Sequence, residues 1–226
     1  MPDSRMEKWK RWCDERIANE VLGMNLHRHA WRELGRIVDE HGDLPPSYFW
    51  EYLRDTYAVT QSVAVRRQAD ADPRVISLGR LIHEIAEDAP RNTRELYLEM
   101  WELKRTGDIR DRLGAVHANQ SFDTLAGEGA EYFEPDVARA DLGRLTAAAS
   151  SVSAYVDQHL AHSDAKQMSA PGLPTFDHVN DAIDTIGDLF RTYASLLTAR
   201  GYVTVTPVIQ DDWLAVFRQP WINPEA

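Results

Sequence analysis

The chain has a single cysteine, Cys13, so no disulfide can form within it. The lack of a disulfide framework is typical of a protein in a reducing compartment. No apolar run approaches the roughly 18 residues that a membrane-spanning helix needs, and the first residues, MPDSRMEKWKRW, lack the apolar stretch of a secretory signal. These absences predict a cytoplasmic protein with no membrane partner.

Positive charge is also scarce. The chain carries 25 Lys and Arg against 36 Asp and Glu, which gives a formal net charge of −11. Such a chain repels bulk nucleic acid. Residues 1–36 are an exception, with eight basic against six acidic side chains. A nucleic-acid substrate would therefore need this basic N-terminal surface, a groove between two subunits or a basic partner.

The common enzyme signatures are missing as well. There is no Walker loop, no Gly-x-Gly-x-x-Gly, no His-Glu-x-x-His, no pair of cysteines and no Gly-x-Ser-x-Gly. The sequence therefore gives no support to a phosphate-binding loop, a dinucleotide site or a zinc-protease site, and no cofactor is expected.

Long amphipathic helices are present instead. Apolar residues recur at three- and four-residue spacing through most of the chain. Ser47, Ser77, Thr93 and Thr175 stand where a side-chain oxygen caps the first turn of a helix. We therefore expect an all-α fold, a helical bundle of about five or six main helices in a single domain over residues 1–226. The main helices are predicted over residues 5–41 (with a break near Gly23), 48–69, 78–87, 94–105, 136–164 and 176–200.

Two stretches lack this periodicity. Residues 107–135 are rich in glycine and acidic side chains and are predicted to form an irregular acidic insertion with a short helix over 109–117. Residues 202–226 are predicted to form a C-terminal arm. Pro207 restricts the extended run of this arm to an edge position, and a short helix is expected over 211–217.

Two histidines near the end of the fifth predicted helix are candidates for chemistry. Histidine titrates near neutral pH and suits general acid–base catalysis. His159 and His162 are three residues apart and share a helix face. Asp157 and His162 are separated by about 140° on an ideal helix, so they converge only if the last turn is distorted. The alternative is a polar helix end whose histidines cap carbonyl groups.

The second predicted helix, whose apolar stripe includes Tyr52, ends in two adjacent arginines. Arg66 and Arg67 could bind a phosphate through paired hydrogen bonds. Equally, Arg66 can pair with Asp70, four residues further on, or with Asp157. A phosphate site and an ion pair both stay open on the sequence.

Two other charged groups are expected to lie on the surface. Residues 27–29, with Arg32 and Arg36, form a basic patch, but its two histidines are two apart and point to different sides of a helix. The four aspartates between residues 177 and 188 form a stripe expected to face solvent, since the Glu-x-x-His pattern of bundle metal sites is absent. No metal site is predicted.

Several segments together resemble the HEPN superfamily. A helix ending in AVRRQAD, the following SLGRLIHEI and a later helix ending in YVDQHLAHSD are similar to its branch associated with bacterial abortive infection. The closing DDWLAVFRQPW extends the similarity over most of the chain.

The resemblance implies a helical bundle that dimerises. In active members an Arg, four to six further residues and a His form a metal-independent ribonuclease centre, usually across the dimer interface, that acts on the 2′-hydroxyl and the phosphate. The matching His here is His162, and the residue five before it is Asp157 rather than an arginine. Either the centre is degenerate, or Arg66 or Arg67 supplies the cation from the second helix while Asp157 orients it or His162.

Two functions therefore stay open. The first is an HEPN-like protein of prokaryotic phage defence or of a toxin–antitoxin pair that cleaves RNA. Its catalytic residues would be His162, Asp157, Arg66 and Arg67, with His159 and the two arginines contacting the substrate. The second is a catalytically inactive HEPN-like module that binds a nucleotide or a protein partner. We expect a homodimer, with RNA or a nucleotide as ligand and a cognate antitoxin or another defence protein as partner.

Overall fold

The computed structural model describes residues 4–40, 47–88, 92–102, 110–160 and 174–218. These ranges are almost entirely helical and contain no β-strand, which confirms the predicted all-α fold. None of their helices is long and apolar enough to cross a bilayer. The α-helices are α1 (Ser4–Arg11), α2 (Ala18–Glu40), α3 (Tyr48–Ala69), α4 (Leu78–Glu87), α5 (Arg94–Glu102), α6 (Arg110–Ala126), α7 (Pro135–Tyr155) and α8 (Phe176–Thr198).

The last of these helices, α8, lies at the centre of the bundle. Eleven of its 23 residues are buried at the three- and four-residue spacing that the sequence shows, and α8 packs against each of the other seven described helices. The largest fully buried side chains are Tyr193 and Phe190 of α8 itself, with Trp9, Tyr97, Phe122 and Phe133 from elsewhere in the chain. Because burial of apolar surface is the main stabilising term in folding, α8 is the element on which the bundle is assembled.

The predicted helix starts are confirmed where the structure describes them. The side chains of Ser47, Ser77 and Thr175 each accept a hydrogen bond from a backbone N–H in the first turn of α3, α4 and α8. At the other end of α8, the left-handed residue is Ala199, with φ of 50°, rather than Gly201. The helix therefore ends at Thr198, two residues before the predicted end at residue 200.

The first predicted helix does not break at Gly23, where the structure is helical throughout. Its irregularity is a π turn, Trp12–Ile17, that joins α1 to α2 and buries Cys13 and Ile17. A π turn inserts an extra residue into the helical repeat, so the buried stripes of α1 and α2 are offset from each other.

The buried face of α3 is not the one that its aromatic residues indicate. Tyr52 is exposed, and so are Tyr48, at 91%, and Val59. The expected apolar stripe through Tyr52 is therefore wrong, because tertiary packing selects a more polar face in the second half of the helix. The buried side chains of α3 are Tyr57, Gln61, Ser62, Val65 and Gln68.

The predicted irregular acidic insertion over residues 107–135 is wrong for most of its length. The 17-residue helix α6, Arg110–Ala126, occupies it, and buries Ala118 and Phe122. The C-terminal arm is described as far as Arg218 and ends in a 3-10 helix, Trp213–Arg218, close to the short helix that was expected. Its ring contact with α8 runs from Tyr202 to Phe190, with ring centroids 5.0 Å apart.

Candidate functional site

The end of α3 and the end of α7 meet through one arginine. The Nε of Arg66 donates a hydrogen bond to the Oδ1 of Asp157 at 3.0 Å, and its Nη1 donates to the Oδ2 of Asp70 at 2.8 Å. These two helix ends, 91 residues apart in sequence, are those that the sequence singled out. The structure therefore brings Arg66 and Asp157 together.

This arginine lies at the surface rather than in the core. The side chain of Arg66 is 32% exposed and that of Asp157 is 56% exposed. The hydrogen bond to Asp70, followed by that to Asp157, raises the pKa of Arg66 against the opposing effect of burial. Its Nη2 makes no hydrogen bond within the described residues. The guanidinium is thus a permanent cation, held by two carboxylates, that keeps one free edge.

A tight connection between α3 and α4 fixes the position of Asp70. Its Oδ1 accepts a hydrogen bond from the backbone N–H of Asp72 at 2.9 Å, and its carbonyl oxygen accepts one from the hydroxyl of Ser77. A Cβ added to Gly79 would lie 2.7 Å from the carbonyl oxygen of Ala69, closer than real contacts allow. Only glycine lets the start of α4 approach the last turn of α3 this closely.

Arg67 does not join this site. Its guanidinium pairs with the carboxylate of Glu20 on α2, which also accepts a hydrogen bond from Gln68 at 2.7 Å. The side-chain carbonyl of Gln68 in turn accepts the backbone N–H of Leu78 at 3.0 Å. The expectation that either arginine reaches Asp157 is therefore met by Arg66, while Arg67 ties α3 to α2.

A second π turn, Val156–Leu160, follows α7 and holds Asp157. Asp157 and a residue five positions further on can converge only if this last turn is distorted, and the π turn is such a distortion. Single π turns inside helices are frequent at functional sites. His159, half-buried, packs its imidazole on the ring of Tyr155 with centroids 5.3 Å apart, and it makes no hydrogen bond with Arg66 in the part of the chain that is described. His162 lies outside the described residues.

An arginine–histidine arrangement in α6 escaped the sequence reading. Arg112 is followed by four residues and then His117, and Arg110 by six residues and then the same histidine. Both spacings fall within the range implied by the resemblance. All three residues belong to α6, and His117 is exposed. The spacing alone identifies the arrangement, although the scattered glycines and acidic residues of this segment predict an irregular insertion rather than a helix.

The basic patch and the aspartate stripe each contribute residues to ion pairs. Arg28 is buried and pairs with Asp184 of α8 at 2.6 Å, so it does not belong to a surface patch as expected. The aspartate stripe of α8 faces solvent, and Asp188 pairs with Arg191. Among the described residues, no three His, Cys, Asp or Glu side chains come together as metal ligands would.

Comparison with known proteins matches the chain to a family model. The family model HEPN_AbiU2, described as AbiU2, matches residues 6–216, almost the whole chain. No curated protein and no solved structure matches the chain at a significant level.

Proposed function

The chain belongs to the HEPN_AbiU2 family, an abortive-infection branch of the HEPN superfamily, and from this premise we propose that it acts in phage defence as a metal-independent ribonuclease. The contact between Arg66 and Asp157 is the observation that carries the proposal. It joins a surface-accessible cation to the helix end whose next residues include His162.

The chemistry that these residues suit is transesterification of RNA. A histidine would remove the proton of a 2′-hydroxyl, whose oxygen attacks the neighbouring phosphorus while the bond to the 5′-oxygen breaks and that oxygen takes up a proton. The products would be a 2′,3′-cyclic phosphate and a free 5′-hydroxyl. His162 would be the acid–base group, Arg66 would bind the phosphate, and Asp157 would hold Arg66 in position. His159, on the same π turn as Asp157, would contact the substrate.

A second centre for the same reaction is supported by α6. His117 follows Arg110 and Arg112 at the spacings implied for active members, and all three are on one helix. Seven positions put Arg110 on the same helix face as His117, whereas five put Arg112 about 140° away. This arrangement has both an Arg and a His at the spacing of the family motif. The first centre has Asp157 in place of the motif arginine and relies on Arg66 from another helix. The two centres predict different histidines and are therefore separable by mutation.

The test is cleavage of a labelled single-stranded RNA in the presence of EDTA. Loss of the acid–base histidine costs about 10²- to 10⁴-fold in rate, so either His162→Ala or His117→Ala should reduce cleavage by that amount. Arg66→Gln should reduce it as well if the first centre operates. Arg67→Gln is the matched control, because Glu20 already holds its guanidinium. If both histidine variants cleave as the wild type does, neither centre is correct.

The alternative is a catalytically inactive HEPN-like module that binds a nucleotide or a protein. The pairing of Arg66 with two carboxylates favours it, because Asp70 and Asp157 leave no surplus positive charge for a phosphate. Wild-type protein that binds RNA, or a partner protein, without cleaving RNA in the same assay would support this function over the first.

We also propose a cytoplasmic homodimer, with a cognate antitoxin or another defence protein as a further partner. The exposed face of α3 supports self-association, since Tyr48, Tyr52 and Val59 are exposed apolar residues on the same face of the helix. Sedimentation analysis should show a dimer that Tyr52→Ser weakens. An unchanged dimer in that variant would place the contact elsewhere, and a wild-type monomer would overturn the homodimer.

A further inference from the structure

A groove between α2 and α3 plays no part in either centre described above. It encloses a cavity of about 240 Å³, lined by a stripe of side chains from each helix. Trp31 and Leu34 lie on the α2 side, and Leu53, Tyr57 and Thr60 lie on the α3 side. In a closed bundle two such stripes would pack on each other, so the open space between them is a candidate binding site.

One wall of the groove is the edge of a cluster of aromatic rings that stack on one another. The ring of Trp31 stacks on Trp50 and on Tyr57, with centroids 4.8 and 5.0 Å apart and an interplanar angle of 13° in both pairs. Phe176, at the start of α8, adds a fourth ring, with centroids 5.9 Å from Trp31 and 6.0 Å from Tyr57. A further planar ring can pack against such a cluster.

Two groove-lining residues also hold buried polar atoms without a partner. The hydroxyl of Tyr57 and the side-chain carbonyl oxygen of Gln61 are buried and make no hydrogen bond within the described residues. Buried polar atoms are rarely left unpaired in native proteins. An apolar side chain in the groove would leave both unsatisfied, whereas a ring with N–H and carbonyl groups on its edge has partners for both.

Positive charge lies beside the aromatic wall. Arg32 directly follows the groove-lining Trp31 on α2. Burial raises the pKa of Tyr57, and the guanidinium groups of Arg28 and Arg32 oppose this effect. Arg28 is neutralised by Asp184. Arg32 is exposed and forms no ion pair within the described ranges. In a chain with a net charge of −11, an unpaired arginine beside an aromatic groove is a local attraction for a phosphate.

From these three features we propose that the α2–α3 groove binds a base of single-stranded RNA. The base packs on the Trp31–Tyr57 wall, its polar edge reaches Gln61, and the adjoining phosphate lies near Arg32. The inference rests on the proposed function, in which RNA is the substrate, and adds a recognition site that is separate from the reacting phosphate. Gln61 and Arg66 are five residues apart on α3, about 7 Å along the helix axis and about 140° around it, so a strand that contacts both must pass around the helix.

The test is the affinity for fluorescently labelled twelve-residue RNAs of A, C or U, made with 2′-O-methyl groups so that they cannot be cleaved. Thr60→Phe fills the groove from its exposed rim and should weaken binding by about tenfold, the typical effect of removing one stacked base. Thr146→Phe, at an exposed threonine of α7, is the matched control and should bind as the wild type does.

A second pair of variants tests the phosphate. Arg32→Ala should lower the slope of log affinity against log salt by about 0.7, the value for one phosphate contact on a single strand. Arg139→Ala, on α7, should leave that slope unchanged. The groove proposal is overturned if Thr60→Phe and Thr146→Phe bind alike, or if the wild type binds none of the three RNAs.

Cleavage measured on the same variants separates the two proposals. RNA that is bound through the groove but never cleaved by the wild type leaves the groove site standing and removes the ribonuclease. RNA that is cleaved and bound equally well by Thr60→Phe removes the groove site and leaves the ribonuclease standing. If a protein rather than RNA occupies the groove, the wild type should bind none of the three RNAs.

Discussion

Glu84 on α4 anchors the N-terminal helix to the bundle and gives a prediction whose size can be worked out. Its Oε2 accepts hydrogen bonds from the Nζ of Lys8 at 2.6 Å and from the indole Nε1 of Trp9 at 2.7 Å, and its Oε1 accepts one from Arg80 at 2.6 Å. The side chain is only 13% exposed. Burial acts to raise the pKa of Glu84, but the hydrogen bonds from Lys8, Trp9 and Arg80 outweigh it and lower the pKa from 4.5 to about 2.

The magnitude and the sign follow from this shift. Each pKa unit corresponds to about 1.4 kcal/mol, so ionised Glu84 contributes about 3 kcal/mol to the free energy of unfolding. Because the pKa of the folded state is the lower one, this contribution is present above pH 4.5 and is lost as the pH falls towards 2. We expect Glu84→Gln to lower the free energy of unfolding by about 2 to 3 kcal/mol at pH 7, and the difference from the wild type to shrink below pH 4.

The assay is urea unfolding followed by far-ultraviolet circular dichroism at pH 7, 5, 4 and 3. Glu7→Gln is the matched control, because the carboxylate of Glu7 is 58% exposed and its partner Lys10 is 3.4 Å away. A surface pair of this kind contributes about 0 to 1 kcal/mol. The reasoning on Glu84 is refuted if its variant differs from the wild type equally at every pH, or if Glu7→Gln is as destabilising.

Three further changes should have effects of known sign. Gly79→Ala should destabilise the protein by about 1 to 3 kcal/mol, because the new Cβ meets the carbonyl oxygen of Ala69. Gly143→Ala, in open space on α7, should instead stabilise it by about 0.5 to 1 kcal/mol. Both free energies are measured by urea unfolding, and changes of the same sign would contradict the close approach at Gly79. Ala199→Gly should raise the melting temperature, since glycine adopts the left-handed backbone at φ of 50° without a steric cost, and a lower melting temperature would argue against this cap. Burial raises the pKa of the Cys13 thiol to about 12, so it should react with a disulfide reagent at pH 8 only after denaturation; rapid reaction of the native protein would mean that the first π turn opens.

The parts of the fold that were predictable are those where local signals agree. In α4 and α8 the capping residue and the apolar spacing predict the same helix, and the apolar residues at that spacing in α4, Leu78, Leu81, Ile82 and Ile85, are all fully buried. A helix can be predicted from sequence where its capping residue and its apolar spacing agree in this way.

The errors arose where those signals conflict. Aromatic residues crowd the first half of α3, yet most of that half is exposed while Gln61 and Gln68 are buried, because neighbouring helices rather than hydropathy choose the buried face. In α6, scattered glycines and acids suggested a loop, although Phe122 buries fully and α6 pairs with α5. The low apolar content hid a helix whose stability comes from packing.

The site was predictable only as a list of residue types. The sequence identified Arg66, Arg67 and Asp157, but it could not distinguish between adjacent arginines that pair with different neighbours of α3. That distinction depends on Glu20 of α2, which takes Arg67, and on the second π turn, which presents Asp157 to Arg66. Both are tertiary arrangements, which periodicity does not encode.

The exposure of the Arg66–Asp157 pair bears on why these residues are there. An ion pair with side chains 32% and 56% exposed contributes about 0 to 1 kcal/mol, since solvent screens it and two long side chains must be ordered. Helices α3 and α7 already pack on each other, and Val65 of α3 and Val152 of α7 are buried in the common core, so the pair is not needed to join the helices. A stabilising role alone is therefore a weak reason for an arginine, two carboxylates and a π turn at one surface position. The need for an oriented cation there is the stronger reason, and it connects the geometry of these helix ends to the ribonuclease proposal.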